Sequence, residues 1–235
     1  MAPGLPATTA FGRSDTEFAL PYQIAISMLT TKVRILKQAF THRDGYCPIE
    51  AVSSRVKTHD SIVAKAQRVC CPLIADDIRA NVLDVAGVRI SCGRVSDTYR
   101  IAARLSELSD VAVIEVEDYI AKPKPNGYKG LHMIVEIPVR LSNRVEQVPV
   151  EVQIRTIAQD LWACEHAISD KYPRAIPGRL LDTLTHAAYR LDMKMERLHT
   201  VVTRLWAASG ADDVQANSPP PTAIDRWRPH AGQIL

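Results

Sequence analysis

The sequence predicts an α+β protein in which helices flank a small mixed sheet, with long helices towards both ends. Three patterns indicate this. Apolar residues recur at helical spacing from Thr16 to about Phe40. In Val148–Arg155, valine and isoleucine alternate with polar residues, as in a strand with one buried face. A second apolar stripe at helical spacing runs from about Gly178 to Ala208.

Between the terminal helices the chain alternates predicted strands and helices. With Val148–Arg155, four further segments give five strands: Ser54–Lys57, Val85–Ser91, Val111–Asp118 and Leu131–Val139. The predicted inner helices are Ser61–Val69, Asp97–Leu108 and Ile157–Lys171. We expect Asp60 to cap the first of these helices and Ser96 to cap the second.

The chain is long enough for one ordinary domain with peripheral segments, since it has 235 residues. We expect that domain to span 16–209. Residues 1–15 are small, polar and interrupted by Pro and Gly, which predicts a flexible N-terminus. Residues 210–235 include Pro219–Pro221 and are expected to form a disordered, Pro-rich tail.

Composition excludes several classes of protein. A net charge of +3 is too small to argue for nucleic-acid binding by itself. The five cysteines are odd in number and form no Cys-x-x-Cys pair, which favours free thiols in a reducing cytoplasm. No secretory signal and no apolar run long enough to span a bilayer is evident, so we expect a cytoplasmic protein without membrane association.

The polar face of the predicted strand Val148–Arg155 carries Glu151, Gln153 and Arg155. Taken alone, this pattern favours the solvent-exposed face of an antiparallel sheet. A second carboxylate, Asp84, opens another predicted strand that also contains Arg89. A structural Asp84–Arg89 ion pair is one interpretation, but Asp84 and Glu151 together suit Mg²⁺, which binds one or two carboxylates. For Asp84 and Arg89 to face one site, we expect the strand to bulge or bend, with Gly87 as the natural place.

Basic residues precede this strand. Arg55 and Lys57 project from one face of a predicted strand, and Ser61 and Lys65 lie four apart on one helix face. For each residue alone, a solvated basic surface is the better interpretation. Together with Arg89 they can hold a polyphosphate. The sequence contains no Gly-x-x-x-x-Gly-Lys-Ser/Thr loop, so a bound nucleotide is not held by that motif.

The loop from Lys122 to His132 is the most specific string in the chain. Two prolines stiffen it and two glycines allow its turns. Ordinary hairpin chemistry explains these residues, but it does not explain the choice of Tyr128 and His132. A tyrosine ring can stack on a nucleobase.

Together these strings resemble the small alarmone synthetases, the synthetase-only members of the RelA/SpoT-like GTP pyrophosphokinases. The resemblance runs from about Phe18 to Tyr172. It is carried by Arg55-Val56-Lys57, Asp84-Val85-Ala86-Gly87-Val88-Arg89-Ile90, Asp118-Tyr119-Ile120, Lys122-Pro123-Lys124-Pro125-Asn126-Gly127-Tyr128, Leu131-His132, Val150-Glu151-Val152-Gln153-Ile154-Arg155-Thr156 and Leu161-Trp162-Ala163.

The resemblance implies a nucleotidyltransferase-like fold and an activity. A pyrophosphate group would move from ATP to the 3′-hydroxyl of GDP or GTP, giving AMP and a guanosine alarmone, (p)ppGpp. Mg²⁺ is the implied cofactor. Some relatives are homotetramers, so a homo-oligomer is expected.

The resemblance also implies residue roles. Arg55 and Arg89 would sandwich the adenine of ATP. Its phosphates would be held by Lys57, Ser61 and Lys65. Asp84 and Glu151 would carry the metal, and with Arg89 they form the implied catalytic set, in which Glu151 is the base for the 3′-hydroxyl. Tyr128 would stack on guanine, with the rest of the guanosine site supplied by Lys124, Asn126, His132 and Gln153.

The chain departs from the family in two of its motifs. Lys129 and Gly130 stand where the family usually has Arg-Ser, and Glu165-His166 stands one residue earlier than the family's Glu-His pair. These departures motivate a second hypothesis, a catalytically weak or silent member that binds nucleotides or single-stranded RNA as a regulator. A third is a structural oligomer whose terminal helices carry the function.

Overall fold

The computed structural model describes residues 16–142, 144–171 and 178–208. Its helices are α1 (Thr16–Asp44), α2 (His59–Arg68), α3 (Ala75–Asn81), α4 (Val95–Ser106), α5 (Ile157–Lys171) and α6 (Gly178–Ala208). Its strands are β1 (Ile49–Val56), β2 (Ala86–Cys92), β3 (Ala112–Asp118), β4 (Leu131–Arg140) and β5 (Val145–Thr156).

The strands form one mixed sheet in the order β1-β2-β5-β4-β3. The two central strands, β2 and β5, run parallel, and the other neighbours pair antiparallel. The predicted α+β class and the mixed five-stranded sheet are therefore confirmed.

One face of the sheet is buried. The alternating side chains of β5 that the sequence assigns to the core are all buried, from Val148 to Ile154. Helix α1 contacts β1, β2, β4 and β5 and buries residues such as Tyr22, Leu29 and Val33. Full burial of a side chain of this kind contributes roughly 1.5–3 kcal/mol. Because this face is covered, the polar side chains of the strands are directed to the opposite face.

The bounds of α5 and α6 agree with the predicted ranges. Helix α1 continues to Asp44, and Gly45 follows with φ of +63°, a conformation that glycine adopts readily. Strand β1 begins at Ile49, earlier than predicted. Its start could not be found from the sequence pattern, because most of its side chains are exposed and show no alternation. Helix α3 was not predicted. Its seven residues are too few for a clear apolar period.

Both predicted caps are wrong. The side chain of Thr58, not Asp60, accepts a hydrogen bond from the N–H of Ser61 and begins α2. Helix α4 begins after Arg94 without a side-chain cap, and Ser96 lies in its first turn. The carboxylate of Glu196 on α6 accepts a 2.6 Å hydrogen bond from the N–H of Ser96. A residue of a distant helix therefore caps the N-terminus of α4.

The predicted flexible segment 1–15 and the predicted tail 210–235 lie outside the described residues. All five cysteines are free, as predicted. Among the helices that the structure describes, none combines the length and the apolar character that crossing a membrane requires.

Candidate active site

The open face of the sheet carries a polar cleft at the junction of β1, β2 and β5. Strand register aligns its side chains in two rows. Arg55 pairs with Gly87, which pairs with Glu151. In the next row Arg89 pairs with Gln153, which pairs with His132. The cleft is lined by Ser53, Ser54, Arg55, Lys57, Asp84, Gly87, Val88, Arg89, Glu151 and Gln153.

Asp84 lies in the turn before β2 and meets two lysines. Its Oδ2 is 2.5 Å from Nζ of Lys57 and 3.3 Å from Nζ of Lys65. Burial alone would raise the pKa of Asp84, but the two ammonium groups outweigh it and hold that pKa below its usual value. Its Oδ1 is buried without a hydrogen-bond partner among the described residues. One oxygen of this carboxylate therefore remains available to a ligand.

The position of Asp84 corrects two expectations. The register of β2 is continuous from Ala86 to Cys92, so the bulge predicted at Gly87 is wrong. None is needed, because Asp84 precedes the strand and does not have to share a strand face with Arg89. The alternative of an Asp84–Arg89 ion pair is also wrong, since Asp84 pairs with lysines and Arg89 pairs with Asp160 at 3.3 Å.

Glu151 projects from the middle of β5 into the same cleft. Its Oε1 lies 3.2 Å from Nδ1 of His132, and its Oε2 accepts a 2.6 Å hydrogen bond from Gln153. Burial acts to raise the pKa of Glu151, but His132 and Gln153 together hold that pKa below its usual value. The charge of Asp84 acts in the opposite direction. The two carboxylates thus face one cleft and influence each other.

These carboxylates fit Mg²⁺ better than a softer metal. Within the described residues there is no group of three or more His, Cys, Asp or Glu side chains that could hold a metal ion. A zinc centre needs such a group. Magnesium binds through one or two carboxylates and takes its other ligands from water and phosphate. The unpartnered Oδ1 of Asp84 suits that mode.

The basic wall of the cleft contains most of the residues expected to hold ATP. Arg55, Lys57 and Arg89 line it, and Lys65 joins it through Asp84. Ser61 is not among the lining residues that the structure describes. Its hydroxyl lies 2.9 Å from that of Thr58 in the first turn of α2. Phosphate binding by Ser61 therefore stays a prediction.

Tyr128 is the centre of a buried aromatic cluster beside the cleft. The residue is 8% exposed, and its ring lies 5.8 Å from those of Tyr119 and Trp162, between centroids. Its hydroxyl is 2.5 Å from Nε2 of His132 and accepts a 2.8 Å hydrogen bond from Nε of Arg155. Burial raises the pKa of Tyr128, so this hydroxyl stays protonated. Stacking of guanine on this ring stays a prediction.

The loop before Tyr128 is held by its own side chains. Oδ1 of Asn126 accepts a 3.1 Å hydrogen bond from the N–H of Tyr128, and Gly127 has φ of +84°. Nζ of Lys124 lies 4.0 Å from the ring centroid of Tyr119. Lys124 and Asn126 therefore lie at the rim of the aromatic cluster, and their contact with a guanosine nucleotide stays a prediction.

Sequence reasoning did not assign two residues of the site. Arg155 is 6% exposed and hydrogen-bonds Tyr128 and Gln153. Its place on the polar face of β5 was a usable signal, because that face carries Glu151. Asp160 in the first turn of α5 contacts both Arg89 and Arg155. No spacing in the sequence points to Asp160.

The fold and site define a class of protein. A carboxylate pair on a mixed sheet faces a basic wall, and an aromatic cluster lies beside it. Such groups position and neutralise phosphates rather than attack a substrate covalently. The arrangement is that of a protein acting on nucleoside polyphosphates.

Comparison with known proteins narrows this class. A family described as "Region found in RelA / SpoT proteins" matches residues 54–175. The chain is 44% identical over 180 residues to GTP pyrophosphokinase YwaC of Bacillus subtilis (strain 168), covering 75% of this chain and 86% of that protein. It is 35% identical over 195 residues to GTP pyrophosphokinase YjbM of the same organism, covering 81% and 91%.

A solved structure gives the same result. The crystal structure of the small alarmone synthetase 1 from Bacillus subtilis, bound to its product pppGpp, matches with a TM-score of 0.72 at 35% identity. The match covers 80% of this chain and 97% of that one. The chain belongs to the RelA/SpoT family, and the predicted resemblance to its small alarmone synthetases is confirmed.

Proposed function

We propose that this protein is a GTP pyrophosphokinase, which transfers the pyrophosphate group of ATP to the 3′-hydroxyl of GDP or GTP. The observation that carries the proposal is the convergence of Asp84 and Glu151 on one cleft walled by Arg55, Lys57 and Arg89. The comparisons support it, because two relatives are GTP pyrophosphokinases and a matching solved structure has pppGpp bound as its product.

The basic wall receives ATP. Arg55 and Arg89 flank the adenine, while Lys57, Lys65 and Ser61 hold the phosphates. Lys57 and Lys65 already meet the carboxylate of Asp84, so an entering polyphosphate finds their ammonium groups close together. The positive charges stabilise the charge that develops on the transferred group.

The guanosine nucleotide lies on the other side of Glu151. Its base meets Tyr128, and the surrounding polar groups come from Lys124, Asn126, His132 and Gln153. Glu151 accepts the proton of the 3′-hydroxyl, whose oxygen forms a bond to the β-phosphorus of ATP. The bond between the β-phosphorus and the oxygen that bridges it to the α-phosphorus breaks, and AMP leaves with that oxygen. His132 and Gln153 keep the Glu151 carboxylate ionised and fixed for this task.

Asp84 and Glu151 are also the residues that would hold Mg²⁺. The ion would neutralise charge on the transferred phosphates and on the leaving group. The support is the carboxylate pair itself and the unpartnered oxygen of Asp84.

The experiment is a turnover assay with ATP labelled on its γ-phosphate and with GDP or GTP, in the presence and absence of Mg²⁺. We expect AMP and a labelled 3′-pyrophosphorylated guanosine nucleotide only with the metal. Glu151→Gln should abolish transfer. The matched control is Glu107→Gln, because Glu107 is exposed and pairs only with Arg104 among the described residues. Nucleotide or single-stranded RNA binding without AMP release would instead favour a silent regulator.

The proposed enzyme is a homo-oligomer, with a tetramer as the expected state. Support comes from α6, whose apolar side chains are unusually exposed. The most exposed are Leu180, Leu198 and Leu205, at 61%, 59% and 63%. Apolar patches of this kind mark protein interfaces. Leu198→Glu should lower the mass measured by light scattering to that of a smaller species, whereas Thr200→Glu on the same helix should not.

A further inference from the structure

We propose that Arg155 and Asp160 couple the two nucleotide subsites, so that binding of one nucleotide strengthens binding of the other. The proposal rests on the proposed function, because it needs an ATP subsite at Arg89 and a guanosine subsite at Tyr128. Neither Arg155 nor Asp160 is assigned a contact with substrate. Both are positioning residues that act through their neighbours.

Arg155 is the hub of a closed hydrogen-bond circuit on the guanosine side. Its Nε donates to the Tyr128 hydroxyl at 2.8 Å, and its Nη2 donates to Oε1 of Gln153 at 2.6 Å. Gln153 in turn donates to Glu151, Glu151 meets His132, and His132 meets the Tyr128 hydroxyl. The guanidinium therefore holds the ring expected to meet guanine and, through Gln153, the carboxylate expected to act as base.

Asp160 connects this hydrogen-bond circuit to Arg89 on the ATP side. One oxygen, Oδ1, lies 3.4 Å from Nη1 of Arg155 and 3.3 Å from Nη1 of Arg89. The other oxygen accepts a 3.2 Å hydrogen bond from the hydroxyl of Ser91. The side chain of Asp160 is 25% exposed, so its interaction with the two arginines is only partly screened by water.

The position of Arg89 depends on this carboxylate. Among the described residues, the Nε of Arg89 is buried without a hydrogen-bond partner, while its Nη1 forms an ion pair with Asp160. A nucleotide that fixes Arg89 against Asp160 also fixes the carboxylate that Arg155 shares. The second nucleotide then meets Tyr128 and Gln153 in an arrangement that is already ordered. Thermodynamic linkage makes the effect reciprocal between the two ligands.

A purely structural role for Asp160 predicts something different. A carboxylate in the first turn of α5 stabilises that helix through its dipole, whatever the cleft contains. Its loss would then lower the stability of the protein and leave the dependence of one nucleotide on the other unchanged. The coupling between ligands, rather than affinity or stability alone, separates the two roles.

The test is calorimetric titration of the wild-type protein with an ATP analogue that carries a methylene group between its α- and β-phosphates, with and without saturating GDP. The methylene group prevents transfer, so the readout is independent of turnover. We expect GDP to lower the dissociation constant of the analogue about fivefold or more, the lower end of ordinary coupling between sites. Asp160→Asn should reduce the factor below about twofold, while Asp76→Asn, an exposed control, should retain it.

Arg155→Lys provides a second variant, since it keeps the charge but loses the fork that reaches three partners. We expect it to lose coupling, whereas Arg104→Lys on the surface of α4 should keep it. Melting curves identify any variant that fails to fold, and Asp160→Asn, at a partly exposed site, then decides the outcome. Binding of both nucleotides without coupling, or full coupling in Asp160→Asn, would overturn the inference and leave the proposed function intact. Absence of binding by either nucleotide would overturn both.

Discussion

The two sides of the cleft are built by different means. The side proposed to bind ATP consists of charged side chains on or beside β1, α2 and β2, and Arg55 there is exposed. The guanosine side consists of buried groups, with Tyr128 and Arg155 at 8% and 6% exposure. In the proposed function, one side would hold its ligand by charge, and the other by shape and by hydrogen bonds that are already formed.

This difference predicts which substitutions should affect both stability and activity, and which should affect activity alone. Exposed charges contribute little to folding, because solvent screens them and their side chains lose entropy when they are fixed. A buried hydroxyl or guanidinium is costly to remove, because its partners lose a bond that water cannot replace. Substitution of the exposed Arg55 should therefore lower activity with little effect on stability, while substitutions of the buried groups on the guanosine side should affect both.

Among the substitutions that compare the two sides of the cleft, the largest effect is expected for Lys57→Met. Its ammonium group meets Asp84 and lines the cleft, and removal of one charge that stabilises a transition state typically costs about 100- to 1000-fold in rate. We expect that loss in kcat/KM for ATP. Lys37→Met, on the exposed surface of α1, is the matched control. Equal turnover in Lys57→Met and the control would show that Lys57 does not belong to the ATP site.

Tyr128→Phe should show that the guanosine side is part of the core. The change deletes the hydroxyl that Arg155 and His132 share, and leaving buried partners unsatisfied costs about 1–3 kcal/mol. We expect that decrease in the free energy of unfolding, measured with urea. The ring survives, so KM for the guanosine nucleotide should rise less than it does in Tyr128→Ala. A variant as stable as the wild type contradicts the comparison.

Asp192 gives a smaller effect that depends on pH. This carboxylate of α6 accepts a hydrogen bond from Gln159, and burial raises its pKa above the ordinary value of 3.8. A raised folded-state pKa means that the wild type loses stability as pH rises from about 3.8 through that pKa. The stability of Asp192→Asn relative to the wild type should therefore increase over this interval.

Asp110 is the control for this pH dependence. Lys32 lowers the pKa of Asp110, so the relative stability of Asp110→Asn should decrease as pH rises towards 3.8 and then level off above it. Urea unfolding of both variants and the wild type, measured both below and above pH 3.8, provides the test. Parallel pH profiles for the two variants would contradict both assignments.

The smallest effect on stability is expected for Arg55→Ala. Its side chain is exposed, and surface substitutions usually change the free energy of unfolding by less than about 0.5 kcal/mol. KM for ATP should nevertheless rise, because Arg55 faces the cleft opposite Gly87. A large loss of stability here would show that the ATP side is more than a charged surface.

Much of this architecture is predictable from local patterns. Val148–Arg155 alternates so regularly that its two faces, and hence the place of Glu151, follow from the sequence. The ranges of α5 and α6 follow from their apolar stripes. The assignment of Asp84 to the same cleft depended on the family resemblance, since the physical explanation from a bulge at Gly87 was wrong.

The rest depends on contacts between distant segments. Glu196 caps α4 from another helix, and Asp160 reaches Arg89 across the boundary between a helix and a strand. No local period encodes such pairs, because each partner looks like an ordinary surface acid in its own segment. The burial of Tyr128 is likewise a tertiary result, since a loop rich in Pro and Gly predicts exposure.

The parallel pairing of β2 with β5 also limits when the sheet can be completed during synthesis of the chain. The strand that carries Glu151 is the last of the five to leave the ribosome, yet it must insert between two strands made earlier. Until it arrives, β2 and β4 each present an unpaired edge, the feature through which growing chains aggregate. A nascent chain that stops before Val145 would hold Asp84, Lys57 and Lys65 but no complete cleft, and its two unpaired strand edges would favour aggregation.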